Sequence, residues 1–341
     1  MSPRTRRSGS PGASTSPGTG MPTTPPAEAG KVPAEVEALA GALLDRLHET
    51  QPLRVWSLIV TIFGDLVAPR GGEVWAGTLS DLLGLMRIDA AAVRAALSRL
   101  ARDGWVERER QGRLSFYALS AAGRATFTPA SQRIYRLAPD AGETRAVELR
   151  VVVLPETDGR NGLREAARKA GYGLLAPGVL LGTPASPPLG GPEFPQGAAD
   201  GAVTLAASVL AGSDADLVAR AFDLAPLAGR YQSFCRRYAP LAEALDGGRG
   251  GAGRALLSPE TAMVCRILLV HDYRRLILRD PMLPPALLPA DWPGLAANRL
   301  AARLYAALRA PAEAWIAAHA RGRDGLLPPP DASEARRFSA G

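Results

Sequence analysis

"AAVRAALSRLARDGWVERERQGRLSFYALS", residues 91–120, reads as a helix that runs straight into a basic hairpin. Asp89 supplies an N-cap, and from Ala90 to Arg102 the inward stripe is Val93, Leu97 and Leu100. Arg94, Ser98 and Arg102 recur at i, i+4 and i+8 on another face with Arg99 beside them, which leaves a donor-rich face in water. Gly104 ends the helix, since glycine takes the left-handed C-terminal position without strain. Trp105 to Arg110 and Arg113 to Leu119 then alternate as strands about a turn containing Gly112, and Ser120 caps a further helix. Arginine on such a face can clamp a phosphate or read a guanine edge with two bonds; Ser98 can do either at shorter range.

Upstream, Val55, Leu58, Ile59, Ile62, Phe63 and Leu66 recur at helical spacing, which predicts a helix over 54–67 that ends before Pro69. A second helix reads from Thr78 as N-cap through Leu79, Leu82 and Leu83 to Gly84 or Leu85, with a tight turn at Arg87 and Ile88. Helix, helix, turn, helix, hairpin is the order of a winged helix-turn-helix, whose third helix enters the major groove. Arg108, Arg110 and Arg113 on the hairpin then suit the flanking phosphates. Residues 51–138 hold 12 Arg against 7 acidic residues, so +5 of the chain's formal +7 lies there. The plainer alternative is the solvated surface of an ordinary helical domain. In "RGGEVW", Gly71 and Gly72 suit a structural turn, with Glu73 pairing with Arg70 or a neighbouring arginine.

At 341 residues and 47% hydrophobic content the chain can bury the cores of two or three domains. Its pI near 9.9 favours polyanionic partners. Cys235 and Cys265 sit in no CxxC, which gives no disulfide framework or thiolate metal site. Residues 1–33 hold almost no large apolar side chains and read as a disordered arm; Arg4, Arg6 and Arg7 are followed by no signal-peptide apolar segment, and a cytoplasmic location is the simplest reading. An enzyme is the rival class. A metal-dependent nuclease would need clustered carboxylates, and only Glu156 and Asp158 stand near the end of the first central strand. His48, His271 and His319 accompany no G-x-S-x-G, and no phosphate-binding glycine loop is present, so neither catalytic residues nor cofactor are expected.

The expected fold class is α+β in five parts: the disordered arm, a DNA-binding unit at 34–138, a central unit at 145–224, a helical unit at 225–321 and a flexible tail at 322–341. The central unit reads as β, α, β, β, α, a ferredoxin-like sandwich with a long exposed loop at 183–201. The helical unit reads as helices near 227–245, 259–279 and 297–320.

"GDLVAPRGGEVWAGTLSDLL" (64–83), "VRAALSRLARDGWVERERQGRLSFYALSAAG" (93–123) and "LLVHDYRRLILRDPMLPPALLPADWPG" (268–294) together resemble the PaaX family of transcriptional repressors of phenylacetic acid catabolism. That resemblance implies a central domain similar to Cas2. It also implies a homodimer that binds double-stranded operator DNA and releases it on binding an aryl-CoA thioester such as phenylacetyl-CoA. A CoA thioester carries phosphates and an apolar group, and His271, Tyr273, Arg274 and Arg275 are the candidates for its site; a structural or dimer-contact role is the alternative.

Overall fold

The N-cap expected at residue 89 is in place: Oδ1 of Asp89 accepts the backbone N–H of Ala91 and of Ala92, both at 2.8 Å. The computed structural model describes residues 34–49, 52–138, 148–156, 160–183, 186–191, 194, 196–197, 200–247 and 257–339. The arm at 1–33 and most of the glycine cluster after Asp246 lie outside the described residues.

Helix α1 (Ala34–Glu49) precedes α2 (Val55–Ile62), which widens into a π-helical turn at Phe63–Val67 and a 3-10 turn at Ala68–Arg70. Strand β1 (Glu73–Trp75), α3 (Ala76–Leu85), α4 (Ala90–Arg102), β2 (Val106–Gln111), β3 (Leu114–Leu119) and α5 (Ala121–Ile134) follow. Gly104 has φ +74°, and Trp105 N donates to Leu100 O at 2.9 Å, which closes α4 as a left-handed cap. The hairpin β2–β3 pairs Val106 with Leu119 through Gln111 with Leu114, about a turn where Gly112 has φ +60°.

Two local readings need correction. Thr78 is not an N-cap: α3 starts two residues earlier, and the Thr78 hydroxyl instead accepts Arg321 N at 2.9 Å. The hairpin is not two-stranded, because β1 pairs antiparallel with β3 to give the order β1-β3-β2. Gly71 and Gly72, at φ +89° and +77°, turn the chain into that strand. Glu73 pairs with Arg323 and not with Arg70, whose guanidinium reaches Glu313 and Leu66 O.

In the central unit β4 (Leu149–Val153) lies between β6 (Val179–Gly182) and β7 (Val203–Ala207), with β5 (Gly173–Ala176) outside β6, all neighbours antiparallel. The run "GLLAPGVLLGTP" is a hairpin and not one strand, so the order is β, α, β, β, β, α. Helix α6 (Arg160–Lys169) lays Ala167 on Val152, Leu154 and Leu180; α7 (Asp214–Ala221) lays Val218 and Ala221 on Leu149 and Leu181 from the opposite face. The connection before β7 is anchored and not simply exposed: Leu189 and Phe194 are buried, and Tyr172 donates to Pro187 O at 2.6 Å.

Helices α8 (Ala225–Gly247), α9 (Pro259–Ile277) and α10 (Pro293–His319) form the C-terminal bundle. Its core is continuous with the first unit: α1 packs on α8 and α9, and one apolar cluster runs from Val36 and Leu58 through Leu97 to Met263, Leu304 and Trp315. The flexible tail is a further correction. Residues 321–338 form β8 (Arg321–Gly322), β9 (Gly325–Leu326) and α11 (Ala332–Ala335), and Asp331 N donates to Pro69 O at 2.8 Å.

What holds the tail is charge. Arg266, 0% exposed on α9, donates to Asp65 at 2.7 Å, Glu313 at 2.8 Å, the Tyr305 hydroxyl at 2.7 Å and Glu334 at 3.1 Å. Arg337 adds bonds to Asp65 and Tyr305, and Tyr135 donates to Asp65 at 2.7 Å. Burial pushes the Asp65 carboxyl up, but the Arg266 and Arg337 guanidiniums and the Tyr135 hydroxyl outweigh it and hold the group below the usual carboxylate range. A buried carboxylate is tolerated because its oxygens are filled by donors from α5, α9, α10 and the tail.

Candidate nucleic-acid interface

The face of α4 opposite Val93, Leu97 and Leu100 carries Arg94, Ser98, Arg99 and Arg102, all exposed. Arg99 lies over the Trp56 ring of α2, 5.5 Å from its centroid, and is 3.4 Å from Asp103, so its position is fixed from two sides. Arg94 and Arg102 form no ion pair among the described residues, which leaves their donors available to an outside partner.

On the hairpin, Arg108, Arg110 and Arg113 are also exposed. Strand alternation puts Arg108 and Arg110 on the side of Val106, with Glu107 and Glu109 on the other. Arg108 donates to the Ser115 hydroxyl across the strand pair at 2.9 Å. Glu109 is taken up by Arg323, whose guanidinium also reaches Glu73 at 2.6 Å and stacks 5.7 Å above the Phe116 ring. The Arg323 hydrogen bonds hold the Glu109 carboxyl below its usual range. The tail thereby engages Glu109 on the acidic side of the hairpin, a role no local sequence signal announces.

Gly123 locks the hairpin to the helix behind it. A Cβ there would lie 2.3 Å from Trp105 O, so α5 can approach the start of β2 only through a glycine. Ser120 caps α5 by accepting Gly123 N at 2.9 Å and donates to Gly104 O at 2.6 Å, which ties the end of α4 to the same corner.

The four residues suggested for a ligand do not converge. His271 is buried and shares a 3.0 Å hydrogen bond with Thr61 of α2; burial, then Arg274 and Arg275, push its imidazole down to about 3. Arg274 donates to Ser57 O at 2.8 Å, and burial and the adjacent Arg275 lower it to about 10. Tyr273 turns to the other side of α9, where its hydroxyl accepts Asn298 Nδ2 at 2.7 Å, and Arg275 is exposed. Glu156 is exposed and pairs with Arg160 at 3.2 Å, while Asp158 lies outside the described residues. Among the described residues no three His, Cys, Asp or Glu side chains are grouped to hold a metal ion, and no helix is long and apolar enough to cross a membrane.

Two family models match this chain: that of the PaaX-like proteins over residues 54–123, which hold α2 to the start of α5, and that of the PaaX-like protein C-terminal domain over 222–318. Over 297 residues the chain is 33% identical to the transcriptional repressor PaaX of Escherichia coli strain K12, covering 84% of this chain and 90% of that protein. The chain belongs to the PaaX family. Among solved structures, the uncharacterized protein Rv0674 from Mycobacterium tuberculosis is similar at 23% identity and a TM-score of 0.47, over 74% of this chain and 96% of that one.

Proposed function

We propose that this protein is a cytoplasmic, homodimeric transcriptional repressor and not an enzyme, gripping double-stranded operator DNA through a winged helix-turn-helix. The observation that carries this reading is the α4 face, where Arg94 and Arg102 stand exposed and, among the described residues, free of ion pairs beside Ser98 and the hairpin arginines. Arg94, Ser98, Arg99 and Arg102 enter the major groove, and Arg108, Arg110 and Arg113 hold the backbone alongside. β1, β3 and β2 form the wing sheet. The repressor name carried by the Escherichia coli relative supports the same reading.

In the central unit the neighbour order and the α6 crossover support a ferredoxin-like, Cas2-like sheet, with the second helix displaced to follow the last strand. The effector is an aryl-CoA thioester such as phenylacetyl-CoA, and the regulated genes serve aromatic-acid catabolism. Release by tens-fold requires the effector to favour the unbound conformation by about 2 kcal/mol. The test is binding of the full-length protein to its own upstream DNA at physiological salt, with and without phenylacetyl-CoA. Specific binding that the thioester weakens is expected; no preference over random DNA of equal length refutes the repressor reading.

A further inference from the structure

We propose that the effector site lies between α5, the π-helical turn after α2 and the C-terminal tail, where an open cationic cleft adjoins a small apolar chamber. The inference rests on the reading above that an aryl-CoA thioester is the effector, and it assigns to that ligand a place in this fold.

The cleft has a volume of about 1220 Å³. It is lined by Gly64, Ala68, Pro69, Gly71 and Gly72, and by Arg124, Arg136 and Arg336, with Asp331 the one carboxylate among the described lining residues. Asp331 is itself engaged, accepting Ser333 N at 2.8 Å as the cap of α11. The cleft is therefore strongly cationic and open to solvent, as a phosphate-bearing carrier requires.

Behind it sits a chamber of about 110 Å³ walled by Val60, Trp105, Phe127, Ile134, Val270 and Leu278. A dry apolar cavity of about 150 Å³ accommodates benzene, so this smaller space admits one ring only if a wall side chain moves, and it excludes a long acyl chain. Gly64, Phe127, Ser131 and Tyr135 line both spaces, which makes the Phe127 ring the partition between them. A Cβ on Gly64 would lie 2.9 Å from that ring, so the glycine lets Phe127 stand there. Arg274, on the chamber wall, bonds Ser57 through one terminal nitrogen while its buried Nε finds no acceptor in the structure. A thioester carbonyl would supply that acceptor.

The position also explains how a ligand reaches the DNA face. Trp105 meets Phe127 edge-on at 6.0 Å, and the same residue joins the end of α4 to β2. A ring entering the chamber must displace Phe127 or Trp105, and either movement re-aims the wing relative to α4.

A second cationic cleft, about 530 Å³ and lined by Arg230, Arg237, Arg275 and Arg279, lies on the far side of α9. It holds Leu276 and Phe234 but no enclosed chamber, and Arg237 is spent on Asp272.

The test is calorimetric titration of full-length protein with phenylacetyl-CoA and with free CoA. In the wild type the thioester binds more tightly than CoA. The double variant Arg136→Ala, Arg336→Ala is expected to weaken both ligands about tenfold or more, whereas Arg275→Ala, Arg279→Ala leaves both unchanged. Ala130→Leu, which fills the chamber, removes the advantage of the thioester and spares CoA; should it unfold, loss of the ligand-induced change in tryptophan emission in Trp105→Phe serves instead. Wild-type protein that ignores the thioester overturns the effector reading and this site with it. Normal release by the thioester with unchanged affinity in the cleft and chamber variants overturns the site alone, as does loss confined to the Arg275, Arg279 variant.

Discussion

Replacing Arg266 by methionine keeps an unbranched apolar stem and deletes the guanidinium at the centre of the buried network. In the native protein Arg70, Arg266, Arg309 and Arg337 face Asp65, Glu313 and Glu334, four cations against three carboxylates. The variant leaves three against three, but each carboxylate loses its buried Arg266 partner, and Glu334 is left with Arg309, whose side chain is 42% exposed. Removing one partner from a buried pair costs about 3–5 kcal/mol. At roughly 2–4 °C per kcal/mol for a domain of this size, the melting temperature falls by about 6–20 °C. The pH dependence identifies the cause. Native Asp65 is held below its unfolded value, so its contribution is complete above about pH 4 and is lost only as pH falls through the lower folded value. Without Arg266 the burial of Asp65 is less fully opposed, the variant's folded state takes up a proton at higher pH than the native one, and the deficit is smaller at acid than at neutral pH. Thermal and guanidinium unfolding at the two pH values measures both. A methionine variant as stable as the native protein, or a deficit independent of pH, would refute the reasoning and show that desolvation cancels the network's attraction.

Three further outcomes are expected. Gly123→Ala forces a Cβ against Trp105 O and should lower stability by about 2 kcal/mol or more, while Gly84→Ala, with open space around it, should be neutral or stabilising; equal unfolding midpoints would contradict the packing argument. His271 sits near 3 against an ordinary 6.5, so stability is flat above about pH 7 and declines as pH falls toward 3. His271→Gln should flatten that decline by up to about 1.4 kcal/mol per pH unit, as read from denaturant midpoints across the range. Arg323→Ala uncovers Glu73 and Glu109 beside the wing, and DNA affinity by fluorescence anisotropy should fall several-fold at low salt and less at high salt; an increase would reverse the role given to the tail.

What was legible in the sequence was what is decided locally. Asp89, Gly104, Gly112 and Ser120 each act within a few residues of themselves, and each stands where its chemistry required. β1 was missed because three residues carry no period to detect, and its partner β3 lies more than forty residues on. The tail was misread because "PPDASEARRF" looks solvated: Glu334 and Arg337 are buried by charges 68 and 272 residues away, and such pairing leaves no local pattern. The candidate site divides the same way. The arginines of α4 follow from helical spacing, whereas grouping His271, Tyr273, Arg274 and Arg275 by adjacency fails because successive helical residues point about 100° apart. Only His271 and Arg274, three apart, share the face that meets α2.

The return of the last residues to Asp65 sets a schedule for the newborn chain. Arg337 leaves the ribosome 272 residues after the carboxylate it neutralises. At about 5–20 residues per second that interval is roughly 14–54 s, during which Asp65 exists without one of the two guanidiniums that lower its carboxyl. Until Arg337 is made, the turn after α2 can bury that carboxylate only at a higher desolvation cost, so this corner closes late in synthesis.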